Sequence, residues 1–267
     1  MPLFERSPHC TLHYLDHNSR AEKVVLLLHG LGATGDSWQL QILGLTASGF
    51  RSIAPDARGF GSSTYPGGNT SIAEMTGDFI ALLEHLKTGL VDVVGISMGG
   101  THALQFALDA PEMVNKLVLV NTFARLRPHK ISDLIYFASR MLIIYTLGLS
   151  TQARMVANRL FPNPDQEELR KELINQINQA DPKGYRSAMR ALGLFNVESR
   201  LSEIRKPTLV ITGGKDTTVQ RELQSNLAKC IANANQVVIP NAGHAVIVDQ
   251  PQVFNETLLA FLENSKT

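Results

Sequence analysis

Short runs of consecutive apolar residues punctuate the chain at Val24–Leu28, Ser52–Ala54, Val91–Ile96, Lys116–Val120, Thr208–Ile211 and Gln236–Ile239. Most are continuous rather than alternating, the pattern of strands buried on both faces of a parallel sheet. Between them, Ser71–Leu86, His102–Ala107, Leu223–Ala232 and Val253–Leu262 carry apolar residues at helical spacing. This alternation predicts an α/β sheet with right-handed crossovers. Cys10–Leu15 alternates weakly and is expected at an antiparallel edge. After Asn121 the alternation stops. The pattern turns helical over Ile131–Leu147, Thr151–Leu160, Asp165–Gln179 and Tyr185–Leu194, punctuated by Pro162, Pro164 and Pro182. Lys206-Pro207 then introduces another strand. The expected organisation is an α/β core of residues 1–121 and 206–267, with a helical insertion at 122–205. Apolar residues of the insertion, Leu134, Ile135, Phe137, Met141, Leu142, Ile143, Tyr145, Leu147 and Phe195 among them, are expected mostly to bury in its own core and against the sheet, with a few lining an acyl pocket. Cys230 falls on an apolar helix face and is expected to pack. Trp38 is expected in the core or on a pocket wall.

Composition narrows the function. With 44% apolar and 18% charged residues over 267 positions, a core of ordinary size is expected and disorder of the whole chain is not. Lys plus Arg number 25 against 24 Asp plus Glu, and a net charge of +1 offers no clustered basic excess for nucleic acid. Two cysteines, Cys10 and Cys230, cannot build a disulfide framework or a zinc site alone. No His-x-x-x-His pair or carboxylate cluster points to a metal, and no glycine spacing matches a nucleotide-binding loop. The start, MPLFERSPHC, lacks the basic and apolar regions of a signal peptide. The most apolar stretch, Met141–Leu149, is too short to span a bilayer. A cytoplasmic protein without membrane insertion is expected.

The candidate chemistry begins at Gly95-Ile96-Ser97-Met98-Gly99, a G-x-S-x-G pattern between a predicted strand and a predicted helix. In that setting it reads as a nucleophile elbow. The chain reverses within one residue, which strains the backbone of Ser97 and leaves no room for side chains at 95 and 99. Three further stretches complete the constellation. Leu26–Gly32 runs a strand into a glycine turn at His29-Gly30-Leu31-Gly32, where Leu31 N–H can join Met98 N–H as an oxyanion hole. Asp216 follows the strand of TLVITGGKD, and His244 follows the strand before NAGH. His244 would act as base toward Ser97, and Asp216 would orient the imidazole. His29 is expected to support the turn structurally, and His102 to lie in the core or on the surface. Asp56-Ala57-Arg58-Gly59 is expected to form a structural turn that helps shape the pocket floor.

With these residues the chain resembles the α/β-hydrolase superfamily, and most the capped carboxylesterase, enol-lactonase and C–C hydrolase group. The matching stretches are HGLG at 29–32, DARGFGSS at 56–63, GISMGG at 95–100, TGGKD at 212–216, NAGH at 241–244 and the closing helix at 251–262. The resemblance implies a mostly parallel central sheet flanked by helices, with a helical cap inserted after the sixth strand. It implies a serine hydrolase with the triad Ser97, Asp216 and His244, no cofactor, and a small-molecule ester as partner. Some members place the acid after the preceding core strand, but Asn121-Thr122 offers no carboxylate there. Haloalkane dehalogenases and epoxide hydrolases of this fold use an aspartate nucleophile, which Ser97 excludes. Ring-cleavage C–C hydrolases usually show Gly-Pro-Gly after the oxyanion turn, where this chain has Gly32-Ala33-Thr34-Gly35. The apolar cap predicts a small or medium, mainly uncharged ester. Lactonase, thioesterase, C–C hydrolase and perhydrolase activities use the same triad and stand as alternatives, as does a ligand receptor on a hydrolase scaffold.

Overall fold

The five apolar residues Val24–Leu28 form a strand with every side chain buried, in the interior of an eight-stranded sheet. We describe the molecule from a computed structural model covering residues 2–126 and 131–264. In chain order the elements are β1 (Leu3–Ser7), β2 (Cys10–His17), β3 (Val24–Leu28), α1 (Gln39–Ala47), β4 (Arg51–Pro55), α2 (Ile72–Leu86), β5 (Val91–Ile96), α3 (Met98–Asp109) and β6 (Val114–Val120). Four helices follow: α4 (Ile131–Thr146), α5 (Leu149–Leu160), α6 (Glu167–Gln179) and α7 (Pro182–Leu194). The chain closes with β7 (Thr208–Gly213), α8 (Arg221–Cys230), β8 (Ala234–Ile239), α9 (Val246–Asp249) and α10 (Pro251–Glu263).

The strand order is β1-β2-β4-β3-β5-β6-β7-β8. The β1–β2 and β2–β4 pairs are antiparallel, and all the others are parallel. Because strand side chains alternate, each buried strand feeds two cores. Leu26, Leu28, Val93, Leu117 and Leu119 join the core that contains α2 and α3. Val25, Leu27, Val94, Val118 and Val120 join Trp38, Phe254 and Leu258 on the other face. Each fully buried Leu or Val contributes roughly 1.5–3 kcal/mol relative to exposure. Leu28 pairs with Gly95, Ile96 with Val120, and Val120 with Ile211. The carboxyl ends of β3, β5, β6 and β7 therefore come level, at the edge where open α/β sheets carry their functional loops.

Several elements differ from the sequence-based expectation. β1 was not anticipated; only Phe4 of its five residues is buried, too little to mark a strand. α1 was also missed. It buries Gln41, Ile42 and Leu45 but exposes Leu40 and Leu43, so its apolar residues form no single stripe. Trp38 belongs to the core, with its ring 6.4 Å from that of Phe254. Cys230 is exposed rather than packed; it closes α8, beyond the buried turn at Gln224 and Leu227. Leu134, Ile135, Leu142, Tyr145 and Leu147 are exposed as well, whereas Phe195 is buried. α4 is apolar around much of its circumference and packs chiefly on α5 and α7 among the described residues, which leaves these five side chains exposed. The segment Asp56–Gly59 does form a structural turn, as expected, and Asp56 braces the loops around it: it bonds His13 Nδ1, Gly35 N–H and Ser62 N–H.

Candidate active site

β5 delivers the chain into a reversal at Ser97, which adopts φ 54° and ψ −114° before α3 begins at Met98. A non-glycine residue held there stores about 1–3 kcal/mol of backbone strain. The surroundings fix it. Ser97 N–H donates to Val120 C=O at 2.9 Å, and Thr122 Oγ1 donates to Ser97 C=O at 2.7 Å. The two flanking glycines are sterically required. A Cβ on Gly95 would overlap the Gly99 carbonyl oxygen, and one on Gly99 would overlap the carbonyl oxygen of Leu28. Met98, as the first residue of α3, presents an N–H without an intrahelical acceptor.

β3 ends in the turn that carries Gly30 and Leu31. Here His29 is the brace. Its Nε2 accepts the Ala57 N–H at 2.9 Å, so the ring proton sits on Nδ1 and is donated to Gly30 C=O at 2.8 Å. Burial pushes this imidazole below its ordinary pKa, while Asp56 and the Gly30 carbonyl pull weakly the other way. A neutral His29 is what both bonds need. Gly30 C=O also accepts from Ala33 N–H, which closes the turn.

β7 and β8 supply the other two groups. Asp216 Oδ1 accepts the N–H groups of Thr218 and Val219, and Oδ2 accepts from His244 Nδ1 at 2.9 Å. All its partners are donors, so in the neutral imidazole of His244 the ring proton sits on Nδ1 and Nε2 is the nitrogen left without one. His244 is 8% exposed and shares a cavity wall with Ser97, Gly30 and Leu31. The structure thus brings the four loops carrying Leu31, Ser97, Asp216 and His244 to one end of the sheet.

In the sequence Asn121 stands out only as a position without a carboxylate. It is fully buried at φ 44°. Its Nδ2 donates to Gly243 C=O at 3.1 Å and His244 C=O at 2.7 Å, while Oδ1 accepts Gly213 N–H at 2.7 Å. One side chain therefore ties the end of β6 to the end of β7 and to the histidine loop. Asp249 fastens the same loop, accepting Gly243 N–H at 2.9 Å; burial raises its pKa, and that bond opposes the shift.

Two cavities adjoin Ser97. One of about 420 Å³ extends under α5 and α6 and includes His244, Leu160, Leu173, Asp36 and Glu172. A second of about 250 Å³ lies toward α4 and α7, with Phe123, Phe137, Met189 and Leu192 on its walls. Ser97, Leu31, Tyr136, Arg140 and Thr218 line both. Among the described residues, no group of three or more His, Cys, Asp or Glu side chains could hold a metal ion. Also among them, no helix is long and apolar enough to cross a membrane.

Comparison with known proteins agrees with this architecture. Residues 23–251 match the family model described as the alpha/beta hydrolase fold. The chain is 31% identical to the protein named "Putative carbamate hydrolase RutD" of Variovorax paradoxus, over 94% of this chain and 96% of that one. It is 30% identical to 3-oxoadipate enol-lactonase 2 of Acinetobacter baylyi, over 94% and 93% of the two chains. The crystal structure of the enol-lactonase from Burkholderia xenovorans superposes with a TM-score of 0.89 at 26% identity, covering 98% of this chain and 100% of the other.

Proposed function

Because the chain belongs to the α/β-hydrolase family and is a hydrolase of that fold, we propose that it cleaves carboxylic esters of small to medium substrates through an acyl-enzyme on Ser97. The observation that carries this reading is a single cavity wall holding a hydroxyl on a strained turn and an imidazole whose far nitrogen is tied to a carboxylate at 2.9 Å. In this reading Ser97 Oγ attacks the ester carbonyl as His244 Nε2 takes its proton. Negative charge develops on the carbonyl oxygen and is received by the N–H groups of Met98 and Leu31, each worth about 3–4 kcal/mol in comparable sites. Imidazolium then protonates the departing alcohol, the C–O bond breaks, and the acyl group stays on Ser97. Water, deprotonated by His244, attacks the acyl carbon and releases the acid. No step uses a cofactor. Residues 122–205 act as the cap over a core formed by 1–121 and 206–267.

A lactone is a cyclic ester, and the same steps open it. The names of the Acinetobacter and Burkholderia relatives favour it as the second reading. Turnover of p-nitrophenyl butyrate tests the proposal. Ser97→Ala is expected to lower kcat at least about 1,000-fold, and retained wild-type turnover would refute the nucleophile. Rates on a matched ester, lactone, thioester and carbamate then separate the substrate classes.

A further inference from the structure

The smaller cavity beside Ser97 is lined by two arginines, Arg140 from α4 and Arg159 from α5, and, among the described residues, by no aspartate or glutamate. Both guanidiniums are held by neutral groups. Arg140 Nη2 donates to the buried Tyr185 hydroxyl at 3.0 Å. The amide orientation of Gln152 that satisfies its neighbours turns its oxygen toward Arg140, 2.7 Å from Nε and 3.1 Å from Nη2. Arg159 Nη2 donates to Thr217 C=O at 2.8 Å, and its Nε is buried without a partner. The ring of Tyr136 lies near both, with its centroid 3.9 Å from the Arg159 guanidinium carbon and 5.9 Å from that of Arg140. Among the described residues, neither arginine makes an ion pair with a carboxylate. Two partly buried positive charges set against one ring, in an otherwise largely apolar cavity, are costly until an anion arrives. Guanidiniums also offer forked donors suited to a carboxylate.

Arg140 also lines the larger cavity, but Asp36 and Glu172 stand on its walls there, whereas Arg159 lines only the smaller one. An ester has two arms, and Ser97 lines both cavities, so the charges assign the arms. We propose that the smaller cavity is a carboxylate subsite formed by Arg140 and Arg159. The substrate is then an ester that carries a free carboxylate on one arm: a hemiester of a dicarboxylic acid, or the ester of a hydroxy acid. The neutral arm lies in the larger cavity, where Asp36 and Glu172 outnumber Arg140. This revises the expectation of an uncharged substrate drawn from the cap's apolar composition. The catalytic half of the inference rests on the ester-hydrolase reading, but the binding half does not.

The test uses two pairs of substrates. Mono-p-nitrophenyl glutarate and a butyrate ester of a hydroxybutanoate each face a neutral isostere in which an isopropyl group replaces the carboxylate. In the wild-type protein at least one charged member is expected to exceed its isostere in kcat/KM by about tenfold or more, and the ratio should shrink as ionic strength rises from about 0.02 to 0.3 M. Arg140→Gln and Arg159→Gln should each lower that ratio about tenfold. A ratio taken within one variant is insensitive to the fraction that folds. Calorimetry of Ser97→Ala with monomethyl glutarate reads the subsite without turnover, and binding should weaken about tenfold when either arginine is replaced. If both charged esters are slower than their isosteres while turnover depends on Ser97, the subsite is refuted and the hydrolase reading stands. If no ester turns over but monomethyl glutarate binds through the arginines, the subsite stands and the hydrolase reading falls. Absence of arginine-dependent binding in Ser97→Ala overturns the inference.

Discussion

Replacement of Asn121 is a sharp test of how the histidine loop is held. Its side chain makes three hydrogen bonds, to Gly213 N–H, Gly243 C=O and His244 C=O, at a site with no exposure. Asn121→Ala strands one donor and two acceptors, each worth roughly 1–3 kcal/mol when left unpaired in the interior. The space vacated admits water, which restores part of this, and alanine tolerates φ 44° less well than asparagine by about 1 kcal/mol. The expected loss of stability is about 4 kcal/mol. Asn121→Asp separates the contributions. One oxygen still accepts Gly213 N–H, but the other faces two carbonyl oxygens and must carry a proton to bond them. The folded state then binds a proton that the unfolded state releases near pH 4, so stability is present at acid pH and is lost as pH rises, by about 1.4 kcal/mol per pH unit. Urea unfolding at pH 5 and pH 7 measures both variants. Turnover of p-nitrophenyl butyrate per fluorophosphonate-titrated site should fall in kcat more than it changes KM, because the displaced group is the proposed base. A loss below about 1 kcal/mol for Asn121→Ala, or an equal deficit at the two pH values for Asn121→Asp, would refute this account of the loop.

Two further outcomes follow from buried groups away from the site. His102 is fully buried, bonds Thr76 Oγ1 at 3.0 Å, and has its pKa lowered to about 3, chiefly by burial. The unfolded chain binds a proton near pH 6.5 that the folded chain refuses, so stability falls from that pH toward about 3, and His29 contributes in the same direction. In His102→Met, the slope of unfolding free energy between pH 4 and 6 should drop by about 1.4 kcal/mol per pH unit; an unchanged slope in urea titrations would contradict this. Lys116 is also buried, and its Nζ donates to the carbonyls of Phe261, Leu262 and Asn264 at 2.8–3.0 Å, closing the carboxyl end of α10. Lys116→Met should cost about 2–4 kcal/mol and raise amide exchange across α10 first; exchange that rises uniformly would argue against a local cap.

What could be read from the chain, and what could not, divides by the range of the physics involved. The reversal at Ser97 is legible because its steric demand falls on residues two positions away, so Gly95 and Gly99 announce it. The parallel strands are legible because burial on both faces leaves continuous apolar runs such as Val91–Ile96. Asn121 was invisible as a brace because its acceptors lie at residues 243 and 244, more than a hundred positions on. Arg140 and Arg159 sit on separate helices, and nothing local signals that both approach Tyr136. α1 escaped notice because its buried positions include the polar Gln41, which bonds Ile247 C=O and Asn255. Exposure on α4 escaped for a related reason: an apolar residue does not record whether a neighbouring helix covers it.

In the proposed mechanism Ser97 is the nucleophile and His244 activates it. Intact-mass analysis after treatment with a fluorophosphonate, followed by peptide mapping, tests it most directly. One adduct per chain on Ser97 is predicted, absent in Ser97→Ala and formed at least about 100-fold more slowly in His244→Ala. An adduct on another residue, or ester turnover that persists after Ser97 is fully labelled, would contradict it.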